Sequence, residues 1–285
     1  MFSKLVKYEW TAMIRAMLPV YVATLAISVI NSISLNSRIF NSIESFINNG
    51  FFINFAGFMQ AILGILYVVV LIGLFIMTFI VTVQRFYKGL LRNEGYLMFT
   101  LPVKVSQLTA SKALVSFFIS ILSVIVAIFA ILILGGTDTI LSAVLLPGEI
   151  IFAVSDALSD VSPAIIAHII FYVIELILAV LASIFGGIYT LYASMALGQL
   201  SRNHKIGFSV LWYILISIAE SLYAWLVIFG GMLVVTASPL PYFLKGSPVA
   251  SLHILFTGVA LLNIIPLIAY VLITNLVLGK RLNLE

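Results

Sequence analysis

Phe58-Met-Gln-Ala-Ile-Leu-Gly-Ile-Leu-Tyr-Val-Val-Val-Leu-Ile-Gly-Leu-Phe-Ile-Met-Thr-Phe-Ile-Val-Thr-Val83 contains no Asp, Glu, Lys or Arg. A helix over this run is about 39 Å long at 1.5 Å per residue, more than the ~30 Å hydrocarbon core of a bilayer. The run is too uniform for a β-barrel strand, which alternates apolar and polar residues over about ten positions. A lipid-exposed backbone must satisfy its own hydrogen bonds, so the reading is a membrane-spanning α-helix. Outward from it the chain reads Arg85-Phe-Tyr-Lys-Gly-Leu-Leu-Arg-Asn-Glu-Gly-Tyr-Leu-Met-Phe-Thr-Leu-Pro-Val-Lys-Val-Ser-Gln-Leu-Thr-Ala-Ser-Lys112, a basic island, and then a second uncharged run, Ala113 to Leu134.

The whole chain follows the same logic. With 63% hydrophobic residues, 8% charged residues and a mean hydropathy of +1.25, its solvent is mostly lipid; soluble domains carry about 25% charge. Six spans are expected, about 18–34, 58–83, 113–134, 165–200, 206–236 and 252–278, giving an all-α integral membrane protein with a single transmembrane domain over 1–285. The fourth and fifth runs are long enough that they must tilt or project beyond the bilayer. The first is diluted by Pro19, Asn31 and Ser32. The outer stretch Ile140 to Val154 is interrupted by Pro147-Gly148, and short interfacial helices are expected there.

Charge sets an expected orientation. Twelve of the 14 basic residues fall before the first span, between the second and third, between the fourth and fifth, or after the sixth. The positive-inside rule places those segments and both termini in the cytoplasm, and Gly135 to Ala164 outside. That outer stretch holds Asp138, Glu149, Asp156 and Asp160 and no Lys or Arg. The excess of positive charge is a topology signal and does not indicate nucleic-acid binding. Before the first span, Phe2, Val6, Trp10, Met13 and Met17 share one helical face and Lys4, Lys7, Thr11 and Arg15 the other, so residues 1–17 read as an amphipathic interfacial helix. Glu9 falls at the edge of the apolar arc, where burial in lipid does not explain it.

Chemistry-bearing residues are few. The chain has no cysteine, which excludes disulfides, thiolate metal sites and a thiol nucleophile. His168, His204 and His253 are far apart with no metal-ligand spacing, and no metal or cofactor is expected in this chain. Asp156-Ala-Leu-Ser-Asp160 reads as a solvated surface rather than a diphosphate site. There is no Gly-rich loop ending in Lys-Ser/Thr, so the chain has no ATPase site of that kind and is not expected to be an enzyme. Two carboxylates lie inside spans, Glu175 and Glu220. An ionised carboxylate there costs several kcal/mol, so each is expected to be protonated, paired or turned to a polar cavity, either as a hydrogen-bonding contact between helices or as part of a translocation path. Ala182, Gly186, Thr190, Ser194 and Gly198 recur at four-residue spacing in the fourth run, which suits close helix packing.

The island, residues 85–112, is too short for a domain, and its amphipathic placing of Phe86, Leu90, Leu91 and Leu97 suits a docking element. Here the chain resembles the permease subunits of bacterial type-2 ATP-binding-cassette (ABC) exporters. The resemblance rests on Lys4-Leu-Val-Lys-Tyr-Glu-Trp10, on Arg85-Phe-Tyr-Lys88, on Glu94-Gly95-Tyr96-Leu97 followed by Phe99-Thr100-Leu101-Pro102-Val103, on Lys112, and on the six-span topology. It implies a half-transporter in the bacterial inner membrane. Two permeases, identical or homologous, would pair with two cytoplasmic ATPases that bind ATP and magnesium. The segment after the second span would be the coupling helix, with Glu94, Gly95, Leu101 and Pro102 at the ATPase junction and short outer helices between 237 and 251. The alternative from the residues alone is an ATP-independent transporter or channel using Glu220 and Glu175.

Overall fold

The computed structural model describes residues 2–36, 50–100, 102–159, 162–201, 204–237 and 248–280. Every regular element among them is helical. The long helices are α1 (Phe2–Asn36), α2 (Gly50–Phe86), α4 (Val105–Leu134), α6 (Pro163–Gly198), α7 (Lys205–Ala237) and α8 (Pro248–Lys280). Each contains a stretch apolar and long enough to cross a membrane, and these six are the expected spans. Two shorter helices complete the set, α3 (Asn93–Phe99) and α5 (Gly136–Ser159).

Three boundaries differ from the sequence reading. The amphipathic start and the first span are one element, because α1 runs unbroken for 35 residues, about 52 Å, with Pro19 inside it. The proline removes a single backbone bond, to the carbonyl of Arg15, and the turns on both sides keep theirs. The start of α4 lies two turns before Ala113, which draws Lys112 out of the loop and into a helix. The stretch 140–154 is not broken at Pro147-Gly148 either: α5 is a single helix of 24 residues. The segment between 238 and 247, where further short helices are expected, lies outside the described residues.

The chain divides into two compact units, one made of residues 7–82 and 118–159 and the other of 1–6, 83–117 and 160–285. In the first, the face that α1 buries is mainly polar. Glu9, Met13, Met17, Tyr21, Thr24, Ser28, Asn31 and Ser34 recur every three or four residues and are all buried, while Leu18, Val22, Val29, Ile30 and Ile33 are exposed. The Tyr21 hydroxyl meets Ser123 Oγ at 3.0 Å, and Ser123 Oγ meets Thr78 Oγ1 at 2.8 Å, so one hydroxyl chain ties α1, α4 and α2 together. Nearer the end of α1, Asn31 donates to the Leu63 carbonyl at 3.4 Å and Gln60 donates to the Ser34 carbonyl at 3.3 Å. Lipid is as apolar as leucine and offers no hydrophobic drive to helix association, so hydrogen bonds and close packing hold these helices.

The second unit is built on α6. Ala182, Gly186, Thr190, Ser194 and Gly198 are all buried, as their spacing suggests. Gly198 lets α7 approach closely, since a Cβ there would fall 2.6 Å from the Ser209 backbone nitrogen. Tyr192, with 0% exposure, stacks on Phe86 with ring centroids 3.9 Å apart and meets Ser116 Oγ at 3.1 Å. Phe117 stacks on Phe185 at 4.6 Å, and Thr109 of α4 donates to Asn275 Oδ1 of α8 at 2.8 Å.

Candidate functional site

The basic island is a short helix slung between two long ones. α2 ends at Phe86 and passes into a π-helical turn, Tyr87–Leu91. Arg92 is extended, its guanidinium 5.7 Å from the centre of the Tyr87 ring, and α3 then turns twice before the chain enters α4. Single π-turns widen the helix by one residue and recur at functional positions. The turn sinks Phe86, Leu90 and Leu91 into the unit, while Leu97 on α3 stays 69% exposed. Of the four apolar residues read as one amphipathic face, three anchor the segment and the fourth stands out from it.

Two close approaches fix this geometry. Gly95 donates its N–H to the Arg92 carbonyl at 2.7 Å, and a Cβ at Gly95 would lie 2.5 Å from the Leu90 carbonyl oxygen. Real Cβ atoms do not come that near a backbone oxygen, so the position admits only glycine without rearrangement. Lys112, read from the sequence as part of the solvated basic loop, is 3% exposed and donates from Nζ to the Arg85 carbonyl at 3.3 Å. A Cβ at Gly89 would fall 2.6 Å from that ammonium nitrogen. The missing side chain at Gly89 makes the room in which the start of α4 is clamped to the end of α2.

The sequence-designated coupling residues fall at this segment. Glu94 and Gly95 are in the first turn of α3, with Glu94 described by its backbone alone. Leu101 lies outside the described residues. Pro102 follows α3 and is exposed.

The two membrane carboxylates are not brought together. Glu220 of α7 has Tyr270 of α8 as its polar neighbour. Glu175 of α6 faces α8 much nearer its start: its Oε1 is 3.2 Å from His253 Nδ1 and accepts from Thr257 Oγ1 at 3.3 Å. His253 and Tyr270 are about 25 Å apart along α8. Each carboxylate thus meets a polar partner, which answers its desolvation cost.

His168 and His253 form the part of the site that sequence reading missed. They are 85 residues apart in the chain, yet His168 Nδ1 lies 3.0 Å from His253 Nε2. Tyr172 packs against His253 with ring centroids 4.3 Å apart. The available signal was positional: each histidine is the sixth residue of a long helix that starts at a proline, so antiparallel or parallel pairing of the two starts decides whether the rings meet. Among the described residues no group of three His, Cys, Asp or Glu is arranged to hold a metal ion. His204 is apart from both, in a left-handed backbone conformation with φ 57° between α6 and α7.

In unit 7–82 with 118–159, the buried polar face of α1 is the other feature with chemical content. Asn31 Oδ1 on that face, and the Tyr67 hydroxyl of α2, are buried with no protein partner among the described residues. Buried polar atoms of this kind are ordinarily met by water.

Comparison of the chain with known protein families, with curated proteins and with solved structures finds no match.

Proposed function

We propose that this chain is the permease subunit of a bacterial type-2 ATP-binding-cassette exporter, a multi-pass protein of the cell (inner) membrane. In this reading it forms the translocation path with a second permease, identical or homologous, and is driven by a separate cytoplasmic ATPase that binds ATP and magnesium. The observation that carries the proposal is the short helix Asn93–Phe99, clamped at its base by buried Leu90, Leu91 and Lys112 and presenting Leu97 outward. A rigidly rooted helix with an exposed apolar tip is suited to take up a push from a partner. Because it joins α2 to α4 directly, a displacement there moves two spans as a lever would. The island's basic charge and the absence of a phosphate-binding loop support the same division of labour, with hydrolysis in one subunit and passage in another.

The test is affinity purification of the full chain, extracted gently from its native membrane, with ATP hydrolysis measured in the eluate. A co-purifying ATPase whose activity falls at least tenfold on Leu97→Asp supports the reading. A chain that brings down no ATPase, or hydrolysis indifferent to Leu97→Asp, overturns it.

A second reading, transport without ATP, is favoured by the polar partners that Glu175 and Glu220 find inside the bundle. Reconstituted chain alone would then move solute down an imposed gradient, and Glu220→Gln would abolish the movement. The first reading gives no movement without the ATPase.

A further inference from the structure

Glu175, His253 and His168 stand in series, with Glu175 Oε1 to His253 Nδ1 at 3.2 Å and His253 Nε2 to His168 Nδ1 at 3.0 Å. Both nitrogens of His253 are engaged, one on each side. With the carboxylate ionised and the rings neutral, only one arrangement satisfies every contact: His253 Nδ1–H donates to Glu175, and His253 Nε2 accepts from His168 Nδ1–H. The carboxylate therefore dictates the tautomer of both rings, leaving the lone pair of His168 Nε2 as the open end of the chain. Thr257 adds a second donor to Oε1, and Tyr172 covers the His253 ring.

We propose that this series is a proton-binding relay of capacity one. The ligand is a hydron, taken up at His168 Nε2. When it binds, the N–H bond formed there is matched by transfer of the His168 Nδ1 proton to His253 Nε2 and of the His253 Nδ1 proton to Glu175 Oε1. The end state is a neutral carboxylic acid and two neutral rings, with the Glu175–His253 and His253–His168 hydrogen bonds both reversed. No atom moves further than a hydrogen-bond length, and one hydron has passed from the start of α6 to a point about 10 Å deeper along it.

The membrane setting fixes the count. All three residues lie within the apolar stretches Ile165–Gly198 and Leu252–Lys280. Unloaded, the series carries one negative charge; loaded once it is neutral; a second hydron would make it positive. Low dielectric disfavours both charged states, so single occupancy is the state the surroundings favour. Of the titratable groups on the elements packed against the series, Tyr172 of α6 touches it. Glu220 of α7 lies beside Tyr270, about 25 Å further along α8, too remote to replace Glu175 as the acceptor. The relay does not depend on what drives transport in this chain and survives the failure of the exporter reading.

The chain has 3 histidines, so ¹⁵N-histidine labelling of the full protein in phosphatidylcholine nanodiscs gives a spectrum that single substitutions can assign. The relay predicts scalar coupling between His168 Nδ1 and His253 Nε2, a single tautomer on each ring set by Glu175 (both Nδ1–H while the carboxylate is ionised, both Nε2–H once it holds the hydron), and one shared transition in which the two rings switch together. Glu175→Ala should abolish the fixed tautomer and split the shared transition into two independent ones, with His204 unchanged. If Glu175→Ala does not fold, His168→Gln serves. It should leave the His253 tautomer fixed but move its transition by several-fold in proton concentration. Rings that show no mutual coupling and respond separately in the unmodified protein overturn the proposal, as does a His253 transition indifferent to His168→Gln.

Discussion

At the scale of single residues, the chain spends its rare special positions on the segment between α2 and α4. Gly95 sits against a backbone oxygen, which cannot yield as a flexible side chain would. Gly95→Ala is therefore expected to destabilise the protein by about 1–3 kcal/mol through overpacking, read as a lower melting temperature in detergent, and to loosen α3 before the spans. Lys112 is the converse case, a buried cation bonded to the Arg85 carbonyl. Lys112→Met keeps the volume of the stem and removes a charge-assisted hydrogen bond worth about 1.5–3 kcal/mol. Increased protease cleavage between 85 and 104 is the expected readout; unchanged cleavage would show that the clamp is not what roots the segment. Neither residue's role was legible in the sequence. Gly95 was singled out there on family resemblance and Lys112 counted as loop charge, because neither the π-turn that folds Gly95 back on Leu90 nor the packing that brings Lys112 to Arg85, 27 residues away, has a signature in the run of residues.

At the scale of elements, hydropathy placed all six spanning helices, since uninterrupted apolar runs leave the backbone no alternative to helix. The errors are at the ends and breakers. Proline was weighted too strongly at 147, and the boundary drawn between 17 and 18 is absent although Pro19 follows it; at both prolines one lost bond is outvoted by the intact turns on each side. Pro147→Ala restores the missing donor toward the Ala143 carbonyl and should slow amide exchange across α5 by roughly tenfold or more, given the ~3 kcal/mol that a proline costs a helix interior. If exchange is unaltered, α5 is held by something other than its own ladder. The stacked pair Phe86 and Tyr192 joins the end of α2 to α6. Tyr192→Ala empties a buried site and should cost about 3–5 kcal/mol. Tyr192→Phe, which keeps the ring and gives up the hydroxyl's bond to Ser116, should cost about 1 kcal/mol. Comparable losses in the two variants would show that the hydroxyl, not the ring, holds the helices together.

At the scale of the whole molecule, the expected arrangement has both termini and residues 85–112 on the basic, cytoplasmic side, with α5 opposite. The chain contains no cysteine, so single cysteines introduced at Ser3, Leu97 and Ser142 report topology without background. An impermeant thiol reagent added to intact cells should label Ser142→Cys and spare the other two; labelling of Leu97→Cys would reverse the orientation and put residues 85–112 out of reach of the cytoplasmic ATPase proposed above. The six-helix plan was readable because it follows from composition. The Glu175 and histidine series was not, because it depends on how α6 and α8 pair, which no run of residues encodes. The polar face of α1 has its consequence in biogenesis. With a mean hydropathy of 1.9, against 2.8 for α2, α1 has the weaker tendency to leave the translocation channel for lipid. Its Asn31 and Ser34 find their partners, Leu63 and Gln60, only on the following span. The nascent α1 should therefore wait at the channel's lateral gate and partition together with α2 as a hairpin. Ribosome-bound chains ending before Leu63 would remain extractable by alkali, and chains long enough to expose the whole of α2 would not.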